Sequence, residues 1–442
     1  MIRKFFLASI ALALAVFIFR SCFEESKISF VLQSESVGTQ PFSVKFSGIG
    51  DGLKNIRISY ISKDQTLLLE TKNYPKGVKK DTVQISLSPF TGIEDGPGQI
   101  KAEAESYGGM FSSGGGSSVS KTKNITTDLS PPKITVMSGA ERFLQGGSGV
   151  IIYKVSGDSK ESGVKIGNKF FKGHKGAPKN GFSDKSIRIA FFSYPYNLGE
   201  GETVLITATD AIGNKRNLPV NYKLEERILP DNPVEITERF IKMKMAPLIN
   251  AREDYSAKEM FVLVNKKIRS LNNEKIAKVL SHASDKSDKI LWEGSFIRPV
   301  GSLQSQFEQR IYTFEGVEVD RQPHLGYDIA SQKRNPVRAS NNGIVIFADD
   351  LGIYGNTIII DHGMGIATLY SHLSSMSVQR GETVVKGKRI GNTGATGLAF
   401  GDHLHFSIYV GGLPVEPIQW WDTNWVQTRI TQNLTDAKRE TN

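Results

Sequence analysis

Five of the seven histidines fall between His324 and His405. Three short segments there hold the residue types that chemistry needs: Pro323-His324-Leu325-Gly326-Tyr327-Asp328, Tyr370-Ser371-His372-Leu373 and Gly401-Asp402-His403-Leu404-His405-Phe406. In the last, polar and apolar side chains alternate on β-favouring residues as far as Val410. Positions i and i+2 of a strand share a face. His403 and His405 are therefore expected to point one way, with Leu404, Phe406 and Ile408 entering a core. Two imidazoles on one face of a strand make half a site, for zinc or for proton transfer. His324 and Asp328 stand four apart, which on a helix gives one face, but Pro323 and Gly326 speak against a helix. A bent, extended segment also brings a His and an Asp onto one ion. Zinc takes N and O donors at about 2.0–2.2 Å, and a catalytic site leaves one of four positions to water. The count to satisfy is three protein ligands, and His324, Asp328 and one of His403 and His405 supply it. His372 and the other member of the pair remain to handle the proton of water and to steady a developing oxyanion. Imidazole does either near neutral pH. No carboxylate in these motifs sits at a general-base spacing. His362, in Asp361-His362-Gly363, reads as a turn residue between strands, and His174 and His282 as surface residues.

Taken in order, His-x-x-x-Asp, Tyr-x-His-Leu and His-Leu-His-Phe resemble the lysostaphin-like (LytM-type) zinc endopeptidases. The likeness runs through roughly residues 294 to 421. It includes Phe296-Ile297-Arg298-Pro299, Arg310-Ile311-Tyr312, Pro336-Val337-Arg338-Ala339, Tyr354-Gly355-Asn356, Gly391-Asn392-Thr393-Gly394 and Trp420-Trp421. The resemblance implies a β-rich catalytic domain whose groove is floored by antiparallel strands. It implies one zinc per chain on His324, Asp328 and His405, with His403 and His372 as the pair that activates water and stabilises the tetrahedral intermediate. It also implies a substrate: peptide cross-links or stem peptides of bacterial peptidoglycan. Some members of that family have lost ligands and only activate wall hydrolases. The alternative is thus a non-catalytic regulator, against which the five intact positions stand.

The elements that must present these residues are mainly β. Residues 28 to about 225 carry alternating runs such as Phe42-Ser43-Val44-Lys45-Phe46 and Val150-Ile151-Ile152-Tyr153-Lys154-Val155, separated by turn residues at sandwich-like spacing. A weak repeat relates Gly96-Pro97-Gly98 and its following strand to Gly199-Glu200-Gly201 and its own. Asp128-Leu129-Ser130-Pro131-Pro132 makes a stiff boundary between the two copies. Both copies resemble bacterial immunoglobulin-like domains. From residue 228 to about 292 the pattern turns helical: Asn232-Pro233 offers a cap and a first-turn Pro. Ser256-Ala257-Lys258-Glu259 is a capping box ahead of Met260, Val264 and Ile268. Asn273 to Ser281 is a further helix candidate. The expected organisation is an N-terminal segment (1–27), two immunoglobulin-like β-sandwiches (28–129 and 130–227), a small helical connector (228–292), a LytM-type peptidase domain (293–425) and a C-terminal tail (426–442). The sandwiches are expected to act as a spacer or wall-binding arm. The connector and the loop Gly173 to Asp184 are the candidates to cover the groove.

The N-terminus sets the compartment. Arg3 and Lys4 precede the uncharged apolar run Phe5 to Phe19, and Arg20 ends it, the arrangement of an export signal. An uncleaved signal anchor in the cytoplasmic membrane is expected, with a cleaved signal and lipidation at Cys22 as alternatives. Cys22 is the only cysteine, so neither an intrachain disulfide nor a cysteine-rich zinc site is available. The net charge of +10 suits an anionic polymer. No basic segment interleaves with aromatics, which excludes an ordinary nucleic-acid-binding module. Peptidoglycan, the membrane and other wall-associated proteins are the expected partners, in the cell envelope.

Overall fold

The structure, a computed structural model, describes residues 26–441 except 64, 109–115, 140–141, 250–254 and 285–287, and the backbone alone of 282–284. The N-terminal segment, most of the loop Ser112 to Ser118 and the side chain of His282 lie outside the described residues. Among the described residues, no helix is long and apolar enough to cross a membrane. The fold is mostly β, and the chain divides into two compact units, Met1–Pro132 with Thr209–Lys215, and Lys133–Ala208 with Arg216–Asn442.

In the first unit a three-stranded sheet (Lys27–Val31, Phe42–Ser47, Lys80–Ile85) faces a five-stranded one centred on Gly96–Ser106. Alternation places one face of each inside. Val44 and Phe46 of one sheet and Ile56, Ile58, Tyr60, Ile100 and Ala102 of the other share a core.

The second unit begins with another pair of sheets, and here alternation has a different result. Strand Ser148–Val155 pairs with Ile187–Ser193 in register Ile152↔Ile189. Both strands are buried almost throughout. Ile151, Tyr153, Ala190 and Phe192 enter the core of the sandwich itself. Their neighbours Val150, Ile152, Ile189 and Phe191 face the other way, into a core that also holds Trp292, Phe296, Phe406, Ile408 and Trp420. The sandwich and the C-terminal β domain thus share one hydrophobic interior. A run apolar on both faces is what a strand between two layers requires. Polar contacts follow the same seam: Trp420 Nε1 donates to Ser148 Oγ at 3.0 Å, and Ser148 N to Gln419 Oε1 at 2.9 Å. The expected 426–442 tail is helical in its described part. Residues 423–439 form a helical run whose Val426, Ile430 and Ala437 join that core.

The segment read as a helix start at Asn232-Pro233 is a strand. Asp231–Ile236 runs parallel to Glu308–Phe314 at the edge of a three-stranded sheet completed by Val317–His324. An edge strand tolerates a proline because one of its sides needs no donor. The helical run 238–249 begins after it, capped by Thr237, whose side chain accepts from Phe240 N. The capping box forms at Ser256 and Glu259 and opens a continuous helical run, 257–284, which absorbs the helix expected from Asn273.

A seven-strand path makes the floor of the C-terminal domain: Ser302–Ser305, Tyr327–Ala330, Leu404–Val410, Ile366–Ser371, Asn356–Gly363, Gly343–Asp350 and Thr383–Val384. Leu404–Val410 lies inside that path, between Tyr327–Ala330 and Ile366–Ser371, and its Leu404, Phe406 and Ile408 are buried at 2 % exposure or less, as the alternation required.

Candidate metal centre

Three strands converge on one point. Asp328 lies opposite His405 in the antiparallel pair of Tyr327–Ala330 with Leu404–Val410. Ser371, opposite His405 on the other side, ends the strand that delivers His372. His324 is the last residue of Val317–His324, and Asp328 follows it across a bend at Leu325-Gly326. The glycine is needed there: a Cβ on Gly326 would meet His405 Cε1 at 2.7 Å and Ser407 Oγ at 2.4 Å.

His324 Nε2 stands 3.1 Å from Asp328 Oδ1 and 2.9 Å from His405 Nδ1, and His405 Nδ1 stands 2.9 Å from Asp328 Oδ1. The partners of the outer ring nitrogens assign the protons. His324 Nδ1 lies 2.8 Å from the Gln306 carbonyl, which only accepts, so Nδ1 carries the hydrogen and Nε2 a lone pair. Ser407 Oγ donates its hydrogen to Leu325 O at 2.9 Å and therefore accepts from His405 Nε2 at 3.1 Å, leaving the lone pair on Nδ1. Two imidazole lone pairs and a carboxylate oxygen thus face one another in a buried place. Such a set repels itself without a cation at its centre. Tetrahedral zinc bonds put ligand atoms roughly 3.3 Å apart, close to these spacings, and two nitrogens with one oxygen suit zinc. The residues present fit a metal ion, and these three form a possible metal-holding group.

The two other histidines stand beside it. His372 Nδ1 donates to Thr396 O at 2.9 Å, and His403 Nδ1 to Gly401 O at 2.9 Å. Both therefore keep a lone pair on Nε2. His403 Nε2 is 3.6 Å from Asp328 Oδ1, and the His372 and His403 ring centroids are 4.8 Å apart. His372 has φ 62°, a left-handed backbone that costs a branched or bulky side chain. Its amide donates to Tyr354 O at 2.9 Å, which holds the turn.

Burial would raise the Asp328 carboxyl, but when a proton rather than an ion sits between them the His324 and His405 rings, together with the Arg310 guanidinium, hold it well below the carboxylate range. Burial, with His403 and His405 alongside, holds His372 well below the usual imidazole range. Burial likewise pushes His405 down to about 4, against the pull of Asp328. Neutral imidazoles beside an ionised carboxylate are what metal ligation and proton acceptance need.

Several participants had been given no role in the sequence. Arg310 donates from Nη2 to Asp328 Oδ2 at 2.5 Å and to Ser305 Oγ at 2.8 Å, and its Nε lies 3.4 Å from Glu308 Oε1. It occupies the outer oxygen of Asp328 and turns the other toward the histidines. Gln306, Ser407, Thr396 and Gly401 fix the ring orientations, as outer partners of metal-site histidines do. The sequence signal for Arg310 was its place in Arg310-Ile311-Tyr312, one of the segments that carry the resemblance, and the structure sets it opposite Gln322 in the hairpin that ends at His324.

His174 and His362 are structural. His174 is buried rather than on the surface, with Nδ1 3.0 Å from Asp288 Oδ1. The strand run Ile187–Ser193 beside it is covered by the C-terminal domain, which the local sequence does not reveal. His362 lies in strand Asn356–Gly363 rather than a turn, fully buried, with Nδ1 2.7 Å from Asn342 O and Nε2 2.8 Å from Thr368 Oγ1. Burial pushes its pKa down to about 4. A buried neutral imidazole gains its proton more readily when unfolded, so its stabilisation is present above pH about 6.5 and is lost as pH falls toward 4. The full loss is on the order of 3 kcal/mol. Denaturant titrations between pH 7 and 4 should show a smaller fall for His362→Gln than for the native chain, and equal slopes would remove His362 as the cause.

Residues 322–417 match the model of Peptidase family M23. The chain therefore carries an M23 peptidase domain at its C-terminal end. Over 95 residues it is 43% identical to the DD-carboxypeptidase/endopeptidase Mpg of Neisseria meningitidis serogroup B, covering 22% of each chain. Over 97 residues it is 39% identical to the peptidoglycan DD-endopeptidase ShyA of Vibrio cholerae, covering 22% of this chain and 23% of that one. The chain thus spans under a quarter of the length of these relatives. Among solved structures, a putative M23 peptidase from Pseudomonas aeruginosa aligns over 63% of this chain and 95% of its own, with 18% identity and a TM-score of 0.38.

Proposed function

We propose that the C-terminal domain is a zinc-dependent endopeptidase that hydrolyses peptide bonds of bacterial peptidoglycan, in cross-links or stem peptides. The observation that carries this is the convergence of His324, Asp328 and His405 lone pairs within 3.1 Å of one another, with two further imidazoles turned toward them. One zinc per chain on those three residues would polarise the scissile carbonyl and make water acidic enough to ionise near neutral pH. His372 and His403 serve as the proton pair. One accepts the proton of the attacking water at Nε2, and the protonated ring becomes the donor that an oxyanion or a leaving amine requires. Thr396 and Gly401 fix those rings with Nε2 inward. Arg310 holds Asp328 with one oxygen presented.

The M23 relatives named for peptidoglycan cleavage support the substrate class. The complete set of five residues favours hydrolysis over the role of a non-catalytic regulator. Residues 1–27 are proposed as a membrane anchor that places the enzyme in the cell envelope. The sandwiches of 28–129 and 130–227 are proposed to be immunoglobulin-like, and the connector to span 228–292. Metal analysis of the purified chain should find one zinc, and incubation with isolated peptidoglycan should release new free amines in a chelator-sensitive way. A zinc-loaded chain that frees no amines from walls of any cross-link type would overturn the reading.

A further inference from the structure

The connector does more than join. The cavity over the five residues measures about 610 Å³, and one wall of it comes from the helical run 257–284. That wall brings a cation, Arg269, into the same cavity as His324, Asp328 and His405. Resting on the hydrolase reading, we propose that Arg269 is a carboxylate-binding subsite, which selects peptides carrying a free carboxylate near the scissile amide.

The charge balance of the cavity is the argument. Its two arginines are treated differently. Arg310 sits between Glu308 and Asp328, so its charge is matched within the protein. Arg269 has only neutral partners. Its Nη2 donates to Asn265 Oδ1 at 2.6 Å, and its Nε lies 3.2 Å from Asn265 O and from Oδ1. Among the described residues no carboxylate comes within 4.0 Å of its guanidinium. Asn265 is itself buried and pinned, because its Nδ2 donates to Asp320 Oδ2 at 2.7 Å. Asn265 thus orients Arg269 without neutralising it.

Tyr354 ties Arg269 to the metal centre. Its ring centroid is 5.8 Å from that of His405, and its hydroxyl donates to Asn273, one turn beyond Arg269, at 2.9 Å. A half-buried guanidinium with unspent charge attracts an anion more strongly than one in open water. Its planar fork fits a carboxylate through two hydrogen bonds. Amide side chains of Asn232, Asn273 and Gln322 line the same space and suit peptide groups rather than further charge. The ligand is therefore a peptide with one carboxylate in reach. That carboxylate is either the terminal one or the one borne by the branching residue of a cross-link.

The test uses the full zinc-loaded chain and three cross-linked stem-peptide dimers: carboxylates free, the C-terminus amidated, or the branching residue amidated. A hydrogen bond to a charged group is worth tenfold or more. The native chain should lose at least tenfold in kcat/KM on one amidated dimer, which identifies the carboxylate. Arg269→Gln should lose the same factor on the free dimer and none further on that amidated one, while Arg269→Lys recovers part. Equal losses on all three dimers, or undiminished discrimination in Arg269→Gln, overturn the proposal. Calorimetric binding of the same dimers to zinc-loaded His372→Ala, with and without Arg269→Gln, separates the two readings. Binding that weakens tenfold with Arg269→Gln while the native chain cleaves nothing keeps the subsite and sinks the hydrolase. Binding indifferent to Arg269 sinks the subsite, whether or not the chain cleaves.

Discussion

His405→Ala should lose zinc and hydrolysis together, whereas His372→Ala should keep one zinc per chain and lose hydrolysis by about 10²–10⁴-fold. The two rings differ in what faces them. His405 Nδ1 lies 2.9 Å from both His324 Nε2 and Asp328 Oδ1, inside the triad. His372 meets the group only from the side, its ring centroid 6.0 Å from that of His405 and 4.8 Å from that of His403. Removing His405 takes one of three ligands, and the two left face each other as bare acceptors in a buried place. Removing His372 leaves the triad whole and deletes only a proton carrier. Mass-spectrometric zinc content beside amine release reads both quantities on the same samples. Full zinc in His405→Ala, or zinc lost from His372→Ala, would reverse the assignment of ligand and catalyst.

Trp420→Ala should cost about 3–5 kcal/mol of folding free energy. Trp420 is fully buried and packs edge-on against Trp292 at 5.6 Å and Phe296 at 5.4 Å. Its Nε1 also satisfies Ser148, so truncation leaves both a void and an unpaired hydroxyl. Because Val150, Ile152 and Phe191 lie in that interior, the second sandwich and the peptidase domain should melt in a single transition. Trp420→Ala should lower that transition as a whole or split it in two. A native chain with two separate transitions, only one of them sensitive to Trp420, would show that the shared core is not cooperative.

The site was more legible in the sequence than the packing around it. Period-two alternation fixed the directions of His403, Leu404, His405 and Phe406, because a strand leaves a side chain only two choices. The bend at Gly326 was visible as a glycine next to a proline-led histidine. Arg310 and Ser407 were not visible as participants, since their roles depend on which strands become neighbours, and pairing is non-local. The same limit explains the sandwich. Val150-Ile151-Ile152-Tyr153 was read as alternating, yet its apolar residues are contiguous, and contiguity marks a strand buried on both faces. The partner for the second face lies more than 100 residues on. Asn232-Pro233 misled because a proline is at home both in a first helical turn and on a sheet edge. Only the Glu308–Phe314 strand alongside decides between them.

The grip of Arg310 on Asp328 bears on which ion the site accepts. With its outer oxygen taken, the carboxylate offers one oxygen where a chelating one offers two. Calcium seeks six to eight oxygens and magnesium an octahedron of them. An ion seated here meets one oxygen and two nitrogens. Hard cations such as calcium and magnesium would find too few oxygens here, and an ion that accepts nitrogen would be favoured.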